Sequence, residues 1–205
     1  MEARTLEPDA LAPWAEVVPG VGPMNVDDLA ALPEDGYHYE LIEGVLVRVP
    51  WSGGEASDVA MGLGSRLRIY AEDHDLGRVL GADAGYRPDP LHPDKTELAP
   101  DVSFVRADRV PPRGTPEYRK AWRLAPDLAV EVASPYQSRR AMGKKARLYL
   151  SFGTRLVWVI YPRYRQVDVW HPDDAKPSAT LGIEDTLDGE DVVLGFTYSV
   201  ARLFA

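Results

Sequence analysis

An α/β domain built on a mixed sheet is what three features of the chain predict. Two near-continuous apolar runs, LAVEVAS at 128–134 and LVWVIYP at 156–162, are of the kind buried on both faces of a sheet. A helix-length segment separates them, and stretches of alternating apolar residues lie before and after. Strand, helix and strand in that order imply a parallel pair with a right-handed crossover, while the alternating stretches read as antiparallel partners.

The elements follow in chain order. Residues 1–24 mix Pro, Gly, Glu and Ala without a sustained period and read as an N-terminal arm, leaving 25–205 as one domain. Asn25 caps a short helix from Val26 to Leu32, stopped by Pro33. In YHYELIEGVLVRVPW, Tyr39, Leu41, Val45, Val47 and Val49 alternate around Glu43-Gly44, a hairpin that turns at the glycine. From Ala56 to His74, Val59, Leu63, Leu67 and Tyr70 recur at helical spacing. GRVLGADAGYRPDP is a strand running into a turn, and LAPDVSFVR is another strand. Residues 107–127 form a Pro-rich connection, with a short helix around Glu117 to Trp122. A connection that long is often functional or mobile. Ser138 can cap a helix from Arg139 to Phe152 that Gly153 ends, QVDVWHP is a third strand, and the tail adds short strands at 179–181 and 191–194.

Composition narrows the chemistry. There is no cysteine, which excludes disulfides, thiolate metal sites and a cysteine nucleophile. The four histidines, at 38, 74, 92 and 171, lack zinc-like spacing, and no Gly-rich phosphate loop, nucleophile elbow or dinucleotide fingerprint is present. Ser134 precedes a proline and has no evident base, so it reads as a turn residue. No apolar run approaches the roughly 20 residues of a membrane helix, and the start of the chain is acidic and proline-bearing, so the expectation is a cytoplasmic protein with no membrane partner.

The net charge of −9 argues against nucleic acid as a partner, but the charge is uneven. Between Val132 and Val167 there is no acid, while Arg139, Arg140, Lys144, Lys145, Arg147, Arg155, Arg163 and Arg165 fall inside. Such a window suggests a basic face on the 139–152 helix, with Arg139, Arg140, Lys144 and Arg147 as candidate contacts to a phosphate backbone.

Acids inside apolar strands are the sharpest local signal, because an unpaired buried carboxylate is costly. Glu131 sits between Val130 and Val132, and Asp101 opens the strand of Val102, Phe104 and Val105. Either acid alone could be paired with an arginine; two on neighbouring strands before a basic helix point to a site.

Pro100-Asp101, then Glu131-Val132-Ala133-Ser134-Pro135, then Lys145, Tyr149, Gly153 and Trp158, together with YELIEG near the start, resemble the Uma family of restriction endonucleases in the PD-(D/E)XK nuclease superfamily. The resemblance spans about 25–204 and implies a restriction-endonuclease-like core that hydrolyses DNA with a bound magnesium or manganese ion. It implies that Asp101 and Glu131 are metal ligands, that the carbonyl of Val132 is a third protein oxygen, and that a lysine orients or deprotonates the attacking water. The usual lysine two residues after the second acid is replaced by Ala133, which moves the role to Lys145 on the following helix, with Lys144 as the neighbouring alternative. Glu40 and Glu43 are candidate additional acids whose alternative is a hairpin acid facing water or pairing with Arg48. Ala141 stands where the family has an Asp before the helix lysine, and Tyr161-Pro162 where it commonly has Asp-Pro. The rival expectations are a catalytically silent member that binds nucleic acid or protein, and a metal-free two-carboxylate glycosidase. A homodimer is expected from the two-stranded substrate and exposed strand edges.

Overall fold

The structure is a computed structural model that describes residues 14–49 and 51–205. Its centre is a six-stranded sheet of β4 (Gly77–Gly81), β5 (Val102–Arg106), β6 (Leu128–Val132), β7 (Leu156–Tyr161), β8 (Gln166–Trp170) and β9 (Ala179–Leu181), side by side in that order, where β1 (Glu16–Val17), β2 (His38–Ile42) and β3 (Val45–Val49) belong to a smaller sheet. The β6–β7 pair is parallel and its neighbours on both sides are antiparallel, as the strand-helix-strand order predicts.

Among the described residues four α-helices accompany the strands: α1 (Val26–Ala30), α2 (Gly54–Asp73), α3 (Pro116–Arg119) and α4 (Arg139–Ser151). The Asn25 side chain caps α1 in a reciprocal capping box with Asp28. The Ser138 hydroxyl caps α4 by accepting from the Ala141 amide at 3.2 Å. The turn between β2 and β3 has positive φ at both loop residues, 50° at Glu43 and 82° at Gly44, the mirror-image geometry whose twist matches two paired strands. At Gly44 an added Cβ would also come within 3.3 Å of the Met24 carbonyl oxygen.

Strand alternation assigns the two faces of the large sheet. Leu128, Val130 and Val132 of β6 pack toward α2, in a core shared with Leu63, Leu67, Phe104, Trp158 and the tail residues Val193 and Phe196. Ala129 and Ala133 turn to the other face, where Met142, Ala146 and Tyr149 of α4 meet Ile42 and Val47 of the hairpin sheet. Glu131 alternates onto this second face between two alanines, and their small side chains leave room beneath α4.

Three expectations change. Within the stretch read as an arm, Trp14 is buried and Glu16–Val17 pairs with β3; residues 1–13 lie outside the described residues. The 107–127 connection is anchored: Trp122 is buried against Tyr86 and Val105, and backbone bonds join Trp122 to Gly85 and Arg87. Of the expected tail strands 179–181 forms, as β9, but 191–194 is a turn, and the last strands are β10 (Thr186–Asp188) and β11 (Thr197–Ser199). Val192 and Val193 resemble strand residues because they are buried, and they are buried as a plug in that turn.

Candidate active site

Register brings the strand acids together. β5 and β6 are paired from Val102↔Val130, so one further step sets Asp101 beside Glu131. Asp101 closes the ladder by accepting the Val132 amide N–H on Oδ2 at 2.7 Å. Val132 therefore meets Asp101 through its N–H.

Lys145 and Tyr149 lie one turn apart on the face of α4 turned to the sheet. The Lys145 ammonium donates to Glu131 Oε2 at 2.9 Å and sits as close to Oε1, while the Tyr149 hydroxyl donates to Glu131 Oε1 at 2.8 Å. Lys145 is 3% exposed, so it is a buried charge rather than a solvated helix-face lysine. Glu40 enters from β2, its Oε1 lying 3.3 Å from the same ammonium and accepting the Ala99 amide N–H at 3.3 Å. The expectation of a water-facing or Arg48-paired Glu40 is overturned: Glu40 is buried, and Arg48 pairs with Glu16 instead. Glu43 is not brought to the site; it is exposed in the turn, where its amide donates to Thr96 Oγ1.

Electrostatics follow from three carboxylates around one ammonium. Burial pushes the Glu131 carboxyl up to about 8, Lys145 pulling it down while Asp101 and Glu40 add to the rise. Burial raises Asp101 too, against the pull of Lys145. For Lys145, burial would lower the ammonium, but Glu131, Glu40 and Asp101 together hold it above the usual lysine range. The lysine thus stays charged, while the Glu131 and Asp101 carboxyls are both shifted toward the protonated form.

Among the described residues no three His, Asp or Glu form a ready-made cage for a metal ion. The donor set nevertheless fits a hard divalent cation, since it offers oxygen only and Glu40 Oε2 is buried without a hydrogen-bond partner among the described residues. An additional positive charge would offset the excess of carboxylates.

The basic helix is less free than its sequence suggests. Arg139 donates to Asp168 at 2.7 Å and lies over the Tyr161 ring at 4.3 Å. Arg147 reaches the Ala175 carbonyl at 3.3 Å and the Trp170 ring at 5.5 Å. Lys144 is half-buried and Arg140 exposed. Ala141 and Tyr161, where the family resemblance departs, are both buried in the second core. Ser134 is a turn residue that bonds Gln137 in both directions.

Two clefts meet at Asp101. One, of about 260 Å³, is lined by Glu40 and Asp101 and by His38, Tyr39 and Trp51; the other, of about 300 Å³, runs along α2 past Met61 and Gly64. Sequence reasoning named Tyr149 only as a member of the family motif, without a role, and did not single out the aromatic wall. The four-residue spacing from Lys145 to Tyr149 was a usable signal; nothing local marked Trp51.

A family profile described as "Putative restriction endonuclease", Uma2, matches residues 26–201. The chain belongs to the Uma2 family. Membership supports a nuclease, with nucleic acid as the substrate class. A solved structure described as a putative nuclease belonging to DUF820, from Anabaena variabilis ATCC 29413, superposes with a TM-score of 0.72 at 22% identity, covering 89% of this chain and 98% of that one. That likeness shows the restriction-endonuclease-like fold. Among curated proteins nothing matches. No helix of the described residues is long and apolar enough to cross a membrane.

Proposed function

We propose that this Uma2 protein is a magnesium- or manganese-dependent endonuclease that hydrolyses phosphodiester bonds in DNA. The observation that carries the reading is the convergence of Asp101, Glu131 and Glu40 on Lys145 in an all-oxygen, charge-excess cluster open to a cleft. Asp101 and Glu131 would hold the ion, with the Val132 carbonyl as a third protein oxygen. When bound, such an ion polarises the phosphoryl oxygen and acidifies water.

The chain's own groups supply the rest. Tyr149 fixes one Glu131 oxygen through its hydroxyl, so the carboxylate keeps one orientation. Lys145, held as an ammonium, has no lone pair to accept a proton. Its role is to orient the attacking oxygen through N–H donation and to offset charge growing on the phosphate, rather than to act as the base. The exposed Arg140 and its helix neighbours contact backbone phosphates, which position the substrate without reading sequence.

Conversion of supercoiled plasmid with magnesium or manganese, chelator as control, tests the proposal. Asp101→Asn keeps the shape but loses the charge that holds the ion, and is expected to abolish nicking. Lys145→Ala is expected to lower the rate on the order of 10²- to 10³-fold. Nicking by Asp101→Asn at the wild-type rate overturns the assignment of this site.

A further inference from the structure

The aromatic wall of the acid-bearing cleft has a feature the hydrolytic reading leaves unused. Trp51 is 62% exposed, although its ring is held in place: its Nε1 donates to the Gly36 carbonyl at 2.6 Å, and the His38 ring packs edge-on at 3.9 Å between centroids. Beside them Tyr37 is also exposed, with the Arg48 guanidinium 4.3 Å above its ring. Single exposed apolar side chains are common and need no explanation. Here, however, an indole that is both fixed and uncovered shares one cleft with Glu40 and Asp101. A large ring kept rigid and wet at a cleft mouth offers contact area at little entropic cost to whatever enters.

We propose that this cleft takes an unpaired nucleotide, with Trp51, backed by His38, as the platform on which its base stacks while the adjoining phosphate lies at Asp101. The inference rests on the nuclease reading of the same site and names its substrate class. In a continuous duplex both faces of each base are covered by neighbours, so only a single-stranded, frayed or extruded base presents a π-face to the indole. The second cleft shares Ser57, Ala82 and Asp101 with the first, which gives the strand a path along α2 beyond the scissile phosphate. Its lining is mainly apolar, with Ala60, Met61 and Val79 beside the polar Ser65 and Arg68, so this arm offers chiefly space and contact.

The test is binding, so that it stands whether or not the protein cleaves. Fluorescence anisotropy is measured with a fluorescein-labelled single-stranded DNA 12-mer and with the blunt duplex of the same sequence. Each is titrated with full-length wild type, Trp51→Ala and Trp51→Phe, in calcium, which takes the same oxygen donors, and in chelator. The wild type is expected to prefer the single strand. Trp51→Ala is expected to reduce that preference on the order of 10-fold, the typical effect of losing one stacked base. Trp51→Phe, which keeps a ring but loses the bond to Gly36, is expected to retain most of it. A preference unchanged in Trp51→Ala overturns the proposal. So does a Trp51→Phe variant that matches Trp51→Ala, because the loss then belongs to the Gly36 clamp. Single-strand preference that depends on Trp51, in a protein that nicks nothing, upholds the platform and removes the endonuclease reading instead.

Discussion

Strand β6 is bracketed by two buried acids, and they are handled in opposite ways. Asp127, just before the strand, is 1% exposed, and each of its oxygens has its own donor: Arg109 Nη1 at 2.7 Å on Oδ1 and the Arg106 amide at 2.9 Å on Oδ2. Arg109 completes the arrangement by donating to the Ala125 carbonyl at 3.0 Å. Asp168 is likewise paired with its own cation, Arg139 and the Thr180 hydroxyl both donating to its Oδ1 at 2.7 Å. Glu131, four residues along the strand from Asp127, instead shares one ammonium with Glu40 and Asp101, and Glu40 Oε2 is left without a partner among the described residues. A buried acid that serves the fold is matched one to one. Around Glu131 the carboxylates are in surplus over their one cation, which on the proposed reading leaves a place for a further one.

The contrast breaks or sharpens at particular side chains. The largest effect is expected from Lys145→Met, which strips the acids of their buried counter-charge. Breaking a buried pair in this way costs about 3–5 kcal/mol. The Glu131 carboxyl, held above its unfolded range at about 8, ionises with rising pH, so the loss is expected to be larger at pH 8 than at pH 5, where Glu131 is protonated. Urea denaturation at the two pH values measures it, and a variant as stable as wild type at pH 8 would mean that the acids are not charged around the lysine.

A smaller effect is expected at the closed end of the strand. Asp127→Asn removes the charged acceptor of Arg109 and is expected to destabilise by about 1.5–3 kcal/mol, the range for a hydrogen bond to a charged group. Equal stability of variant and wild type would erase the distinction between the two ends.

The smallest effect carries the opposite sign. Glu40→Gln makes the same acid-to-amide change but relieves an excess of negative charge. In chelator it is expected to shift stability by no more than about 1 kcal/mol, toward the folded state, as is common when a strained functional site is relaxed. Magnesium is expected to raise the melting temperature of the wild type and to raise that of Glu40→Gln by less, because ligand that binds only the folded state stabilises in proportion to its affinity. A loss of 2 kcal/mol or more in chelator would make Glu40 another structural acid like Asp127.

Much of this was written locally in the chain. The hairpin turn at Glu43-Gly44, the parallel unit of β6, α4 and β7, and the buried acids Asp101 and Glu131 depend on short-range patterns. Glu40 was harder to place because Glu40, Leu41 and Ile42 are all buried, so two-residue alternation gives no outward face on which to set the acid. The basic window from Val132 to Val167 is incomplete as a record of charge for a related reason. Its counter-charges come from outside it: Asp168 for Arg139, Asp191 for Arg155, and Glu40 for Lys145. A window of sequence records charge but not the partners that tertiary structure supplies. The 107–127 connection is irregular in sequence because its order comes from Trp122 packing on Tyr86 and Val105 rather than from any repeating pattern.

The order in which these charges meet during folding follows from their spacing. Glu131 and Lys145 are 14 residues apart within one strand-helix unit, so closing that loop is entropically inexpensive and the pair can form while the rest of the chain is still open. Glu40 arrives only when the hairpin sheet docks, in a contact to Ala99 that spans 59 residues. By loop length alone the strand-helix pair closes at lower entropic cost than the contact that brings in Glu40, so the third carboxylate depends on the hairpin sheet being docked.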